Sequence, residues 1–197
     1  WKTQYPPISM TEHLTIIPDW AEYSPRDDER VIRIEPGIAF GTGDHPTTRL
    51  AIQAMSQHLT PKSTVFDVGT GSGIIALSAG ALEAQSVTAF DLDETATANA
   101  RNHVAMNQLE SVVTVQTNNL LEGVAETASL IVANIITPIL LRLLDDAYRC
   151  LEPKGVFIMS GIQEGEEQTL IDAASAAGFI NLSTTTENNW VCITCHK

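Results

Sequence analysis

The sequence predicts an α/β fold: a doubly wound, mostly parallel sheet of seven strands, closed at its C-terminal edge by an antiparallel hairpin. Three observations predict it. From residue 64 onward, strand-like and helix-like segments alternate, the pattern of a parallel sheet covered on both faces. LIVA (130–133) and VFIM (156–159) are unbroken apolar runs, as expected of strands buried on both sides. A glycine-rich turn, VFDVGTGSG (65–73), joins the first strand of that series to the helix after it.

Residues 1–10 (WKTQYPPISM) read as an irregular lead-in, because Pro6 and Pro7 lack the N–H that regular structure uses. HLTIIP (13–18) and RVIRIEP (30–36) are short strand candidates, with turn residues in SPRDDE (24–29) between them. PGIAFGTGDHPTT (36–48) is a glycine-bearing loop. A helix is expected over 46–59: Pro46 suits its first turn, and Leu50, Ala51, Ala54, Met55, His58 and Leu59 fall at helical spacing.

The alternation then runs as follows. TVFDV (64–68) is a strand and 72–84 a helix; SVTAFDL (86–92) is a strand and 94–109 a helix capped by Asp93. VVTVQT (112–117) and ASLIVAN (128–134) are strands, and 137–151 is a helix closed by Pro153 and Gly155. Thr137 suits the cap of that helix, with Pro138 at its first position. GVFIMSG (155–161) is a strand and 164–178 a helix ended by Gly178. FINLSTTTE (179–187) and NWVCITCHK (189–197) pair around Asn188-Asn189. Residues 1–35 read as a small appendage and 36–197 as the sheet domain.

Composition narrows the function. The chain has 197 residues, enough for one full-sized domain. Its formal net charge is -13, which repels nucleic acid and anionic lipid and suits a basic partner. No apolar run approaches the ~20 residues of a membrane span, and no signal peptide opens the chain. The chain starts at Trp1 without a methionine, which suggests part of a longer polypeptide. The odd count of three cysteines, Cys150, Cys192 and Cys195, suggests a reducing cytoplasm. Cys192 and Cys195 have C-x-x-C spacing, but in a strand residues three apart point to opposite faces. No second such pair completes a metal site, and no metal is expected.

The chemistry centres on the glycine turn. A dinucleotide fingerprint is G-x-G-x-x-G; here Gly69, Gly71 and Gly73 are at alternate positions, and Ile74 stands where the third glycine would be. Asp67 leads the turn. A carboxylate at its mouth would repel a pyrophosphate and favour a ligand with positive charge and no phosphate. S-adenosylmethionine fits that description, and bare backbone at Gly69 and Gly71 allows its close approach. Asp91, 24 positions after Asp67, is placed to accept hydrogen bonds from ribose hydroxyls. Asn118 and Asn119, after the third strand of the series, can reach an adenine amino group or serve only as turn residues. Asn134 ends the LIVA strand where the sheet opens, and its side chain can accept a hydrogen bond from an amine.

Together these residues resemble a class I S-adenosylmethionine-dependent methyltransferase, which implies a Rossmann-like sheet. More narrowly, EPGIAFGTGDHPTTRLAI (35–52), VANI (132–135) and NWVCIT (189–194) resemble the PrmA family, which methylates ribosomal protein L11. The resemblance spans essentially the whole chain. It implies methyl transfer to lysine ε-amines and the N-terminal α-amine of a basic ribosomal protein. The acidic charge argues against a direct nucleic-acid partner, and the resemblance implies an N-terminal recognition domain that nothing in this sequence matches. It assigns cofactor contacts to Phe40, Thr48, Gly69, Asp91 and Asn134, and folds the FGTG stretch (Phe40, Gly41, Thr42, Gly43) over the cofactor. Asp67, Gly71, Leu92 and Asn119 complete the expected cofactor set, with Asn134 and Thr48 at the point of transfer. His45 is read as a packing residue. The oligomeric state is not legible. Methyltransferases of planar amides and adenine amines carry N-P-P-[YF] here; Asn134-Ile135-Ile136-Thr137 lacks both the prolines and the aromatic ring.

Overall fold

The computed structural model describes residues 5–37 and 45–197. Three short strands come first: β1 (Ile8–Thr11), β2 (Leu14–Pro18) and β3 (Arg30–Ile34). Then follow α1 (His45–His58), β4 (Thr64–Val68), α2 (Ile74–Ala81), β5 (Ser86–Asp91), α3 (Glu94–Met106), β6 (Val113–Thr117) and β7 (Ala128–Asn134). The chain ends with α4 (Thr137–Cys150), β8 (Leu151–Gln163), α5 (Glu167–Ala177), β9 (Ile180–Glu187) and β10 (Trp190–His196).

Seven strands form one sheet in the order β6-β5-β4-β7-β8-β10-β9. The first five in that order are parallel, and β10 lies antiparallel between β8 and β9. The predicted doubly wound sheet and its antiparallel edge are both present. Asn188 and Asn189 turn the β9–β10 hairpin with φ of 49° and 66°, the left-handed pair that a tight two-residue hairpin turn requires.

Alternate residues of the central strands feed two cores. Leu130, Val132, Val156 and Ile158 pack toward α1, α2 and α3, whereas Ile131, Ala133, Phe157 and Met159 pack toward α4 and α5. The same alternation separates the cysteine pair: Cys192 belongs to the first core and Cys195 to the second. Both are free, and burial pushes both thiols up to about 12, so they are inert packing groups.

The strands β1, β2 and β3 form a separate three-stranded sheet. Its Met10, Leu14, Ile16, Ile32 and Ile34 share one buried cluster with α1, α2 and α3. Helix α3 also fastens β3 through polar groups. The Asn107 side chain accepts from Arg33 N at 2.7 Å and donates to Arg33 O at 2.8 Å, and His103 Nε2 accepts from Glu35 N at 3.0 Å.

Four local expectations need correction. Residues 8–10, read as lead-in, belong to β1, which pairs with β2 and is too short to carry a periodic signal. Helix α2 ends at Ala81 rather than running to residue 84. Strand β8 begins at Leu151, directly after α4, because Leu151 already pairs with Ala128; residues 152–155 bulge out before Val156 pairs with Leu130. The cap of α4 is Ile136, and Thr137 is its first helical residue, with its hydroxyl 3.3 Å from Glu166 Oε1.

The strand order sets the position of the site. The chain runs outward from β4 through β5 to β6, then crosses back to β7 on the other side of β4. Loops therefore leave the carboxyl ends of β4 and β7 in opposite directions and open a crevice between them. Among the described residues no helix is long and apolar enough to cross a membrane.

Because the small sheet and the main sheet share one core, truncating its centre should be felt by the whole molecule. Ile32 is fully buried; Ile32→Ala should cost about 2–5 kcal/mol and lower one common urea midpoint. Separate transitions for the two sheets would contradict this.

Candidate active site

The turn after β4 is held by its own backbone. Gly69 N and Thr70 N both donate to Phe90 O at 2.8 Å, and Gly73 N donates to Thr70 O at 2.9 Å. Gly71 N donates to Asp91 Oδ2 at 2.9 Å. Two glycines are required for separate reasons. At Gly69 (φ +76°) a Cβ would lie 2.6 Å from Ile135 Cγ2, so β4 and β7 approach this closely only without a side chain there. At Gly71 (φ +56°) a Cβ would meet nothing within 4 Å, so this glycine keeps the mouth of the turn open.

Asp67 corrects the sequence reading. The expectation was a carboxylate at the mouth of the turn; the structure puts it underneath, 1% exposed and outside the cavity lining. On β4, Asp67 shares the α2 face with Val65, and Phe66 and Val68 take the other. Its Oδ2 accepts from Thr70 Oγ1 at 2.6 Å and from Ala76 N at 3.1 Å, which ties the turn to α2. Its Oδ1 is buried without a partner among the described residues. Burial pushes the carboxyl up to about 7, with a smaller push from Asp91, against the lowering effect of the two hydrogen bonds.

Asp91 ends β5 beside the turn. Besides Gly71 N, it accepts from Asp93 N at 3.0 Å through Oδ1, which leaves lone pairs on both oxygens. It lines a cavity of about 270 Å³ with Leu92, Asn119, Ile139 and Arg142. Leu92 is 66% exposed, an unusual position for leucine and one an apolar ligand face would cover. Both asparagines line this cavity, but Asn118 spends its amide nitrogen on Leu120 O and Glu122 O at 3.0 and 3.1 Å, which marks it as a turn residue.

A second cavity, of about 350 Å³, lies on the other side of Gly69 and Ile135, which line both. Its wall includes Thr47, Thr48, Gly71, Asn134, Ile136 and Trp190. The Asn134 amide nitrogen lies 3.3 Å from Thr47 Oγ1 and 3.4 Å from Thr48 Oγ1, an orientation assigned from these partners. That leaves Asn134 Oδ1 as an acceptor. Ser160 Oγ donates to Thr47 O at 2.7 Å and locks the first turn of α1 to β8. None of the described residues lining this cavity is charged.

The crevice thus brings Thr48, Gly69, Gly71, Asp91, Leu92, Asn119 and Asn134 together. Phe40, Gly41, Thr42 and Gly43 lie outside the described residues, as does the side chain of His45. Sequence reasoning missed Trp190, Ile136, Ile139 and Arg142. Arg142 and Ile139 come from α4 and Trp190 from the last strand, and no local pattern marks them as neighbours of the turn. The described residues contain no group of three or more His, Cys, Asp or Glu able to hold a metal ion.

Asp67 should leave a signature in stability. Its folded-state value, about 7, lies above that of an unfolded aspartate, about 3.9. Its contribution is therefore full below about pH 4 and is lost as pH rises through about 7. Asp67→Asn stays neutral throughout, so urea unfolding of the ligand-free protein should show the variant gaining on the wild type as pH rises across that window. A difference independent of pH would contradict the assignment.

The comparisons with known proteins agree with this geometry. Residues 1–197 match the family model described as ribosomal protein L11 methyltransferase (PrmA). The chain is 46% identical to the ribosomal protein L11 methyltransferase of Geobacillus kaustophilus, over 100% of this chain and 64% of that protein. It is 45% identical to that of Exiguobacterium sibiricum, over 98% of this chain and 61% of that protein. The chain therefore spans less than two thirds of these relatives. The crystal structure of ribosomal protein L11 methylase from Lactobacillus delbrueckii subsp. bulgaricus superposes with a TM-score of 0.90 at 34% identity, covering 96% of this chain and 97% of that one. A T. thermophilus 16S rRNA methyltransferase, RsmC, solved with AdoMet and guanosine, shares the fold at a TM-score of 0.68 and 18% identity, over 83% of this chain and 46% of that one. The fold is that of class I methyltransferases, and the chain belongs to the ribosomal protein L11 methyltransferase (PrmA) family.

Proposed function

We propose that this chain is the catalytic part of a protein methyltransferase, which takes methyl groups from S-adenosylmethionine and passes them to lysine ε-amines and the N-terminal α-amine of ribosomal protein L11. Residues 36–197 are its methyltransferase domain and 1–35 a small appendage. It works in the cytoplasm, where its three free cysteines stay reduced.

One observation carries the reading. The N–H groups of Gly69, Thr70, Gly71 and Gly73 are all spent within the protein, one of them on a carboxylate. A phosphate-binding turn needs such donors free, or a cation beside them. Among the described residues no cation lines the cavity at Gly71, Arg142 stands only in the neighbouring cavity, and Asp91 and the buried Asp67 flank the turn. The turn therefore suits a nucleoside that carries positive charge and no phosphate.

The residues fit S-adenosylmethionine in a consistent order. Asp91 would accept from the ribose hydroxyls, Leu92 would cover one face of the adenine, and Asn119 would meet its edge. Gly69 and Gly71 leave space for the methionyl part. When bound, S-adenosylmethionine supplies a methyl group on sulfonium, a leaving group that departs without acid catalysis.

The protein's own task is positioning and water exclusion, which can supply several kcal/mol. A free lysine amine has a pKa of about 10.4, and only its neutral form has the lone pair that attacks. The described residues of this cavity include no carboxylate to hold the ammonium form, which favours the neutral amine. Asn134 Oδ1 would accept one amine N–H and aim the nitrogen. Thr47 and Thr48 fix the Asn134 amide through its nitrogen. The net charge of -13 suits a basic protein substrate.

Two variants of the full-length protein test the assignment by calorimetry and by methyl transfer to L11. Asp91→Ala should weaken S-adenosylhomocysteine binding by about 10- to 100-fold, the range expected for hydrogen bonds to a charged group. A loss under about threefold would remove Asp91 from the ribose. Asn134→Ala should lower kcat by a larger factor than it lowers S-adenosylhomocysteine affinity. Equal losses would make Asn134 a cofactor ligand only.

A further inference from the structure

The cavity of about 350 Å³ has one aromatic group among its described lining residues, Trp190. The indole stands at the start of β10, paired with Gln163 of β8 on one side and Glu187 of β9 on the other. It is half-buried, packs against the main core, and shares the cavity wall with Asn134, Thr47, Thr48 and Gly161. The glycine turn lines the same cavity. No carboxylate, lysine, arginine or histidine lines it among the described residues.

This lining raises a charge problem for the methyl transfer proposed above. As the amine nitrogen forms its bond to the methyl carbon, the C–S electron pair returns to sulfur. Sulfur ends as a neutral thioether, and the positive charge ends on the alkylated nitrogen. The nitrogen then stays cationic until it gives up a proton to water. A carboxylate placed to hold that cation would equally hold the protonated, unreactive substrate. An aromatic face avoids this: it attracts a cation through its quadrupole, accepts no proton, and favours a bulky alkylated ammonium that water solvates weakly.

We propose that Trp190 is a specificity-determining residue of the acceptor side, against which the aliphatic stem of the target amine lies and whose ring steadies the alkylated ammonium as it forms. The proposal rests on the methyltransferase reading and deepens it. Asn134 Oδ1 orients the neutral amine, and Trp190 meets the charge that the transfer leaves behind. The indole thereby selects flexible alkyl amines, whose cation can reach the ring, over planar amides and adenine amines.

The test uses the full-length protein with L11 as methyl acceptor and three variants: Trp190→Phe, Trp190→Leu and Trp190→Ala. Phenylalanine keeps a ring and leucine keeps apolar volume without one. Trp190→Phe should stay within about threefold of wild-type kcat/KM for L11, and Trp190→Leu and Trp190→Ala should lose at least about tenfold, a difference that matches a cation–π contact of ordinary strength. Binding of S-adenosylhomocysteine, measured by calorimetry, should be unchanged in all three. A second readout is inhibition by Nε-trimethyllysine amide against its uncharged tert-butyl isostere. The wild type and Trp190→Phe should prefer the cation, and Trp190→Leu should not discriminate. Wild-type activity in Trp190→Leu, an unchanged preference in that variant, or loss of S-adenosylhomocysteine binding in Trp190→Phe would overturn the proposal. Failure of the wild type to methylate L11 would instead overturn the methyltransferase reading, and this proposal with it.

Discussion

The hydrogen bond from Gly71 N to Asp91 Oδ2 is the contact on which the rest of the site depends. It turns the mouth of the glycine turn away from anion binding, because the donor at its tip is already given to a carboxylate. It also sets the side-chain direction of Asp91, so that the lone pairs left over face the crevice between β4 and β7. Asp93 N completes the clamp from the other oxygen and starts α3, whose cap is the Asp93 side chain accepting from Thr95 N. One short stretch, Asp91 to Thr95, thus shapes a ligand wall and nucleates a helix.

Below the turn a second acid does different work. Asp67 is packed under the glycines and bonded to Thr70 and Ala76, so it joins β4 to α2 as a structural group with charge in reserve. A carboxyl held near neutrality by burial is a poor permanent anion. Cationic charge placed above it would favour its ionised form, so any ligand of that kind and Asp67 should stabilise each other through the floor of the site. On the far side of Gly69 and Ile135 the described residues supply hydroxyls, one amide and one indole among apolar groups. The crevice thus sets Asp91 and Arg142 among apolar walls on one side, and has no charged group among the described residues on the other.

Much of this was legible in the sequence, for identifiable reasons. The switch from period 3.6 to unbroken apolar runs marks α2 through β8, and the capping role of Asp93 follows from residue type alone. Asp91 and Asn134 were legible because strand ends in a doubly wound sheet point at the crevice. The failures are as instructive. Strand β1 is too short to show periodicity, and the start of β8 hides behind Pro153 and Gly155, which normally stop a helix and here occupy a bulge. The side on which Asp67 lies was derivable, since it alternates with Phe66 and Val68, but a charged residue beside glycines invited the opposite reading. Trp190 and Arg142 were out of reach, because only the insertion of β10 between β8 and β9 and the path of α4 bring them to the crevice.

The central claim is that the crevice accepts a phosphate-free nucleoside because the glycine N–H groups of its turn are spent within the protein, the one at its tip on a carboxylate. Calorimetric titration of the wild-type protein with S-adenosylhomocysteine, S-adenosylmethionine and NAD tests it most directly. Saturable 1:1 binding of both sulfur nucleosides, with no heat from NAD at the same concentrations, is the predicted result. Binding of NAD as tight as that of either sulfur nucleoside would contradict the account.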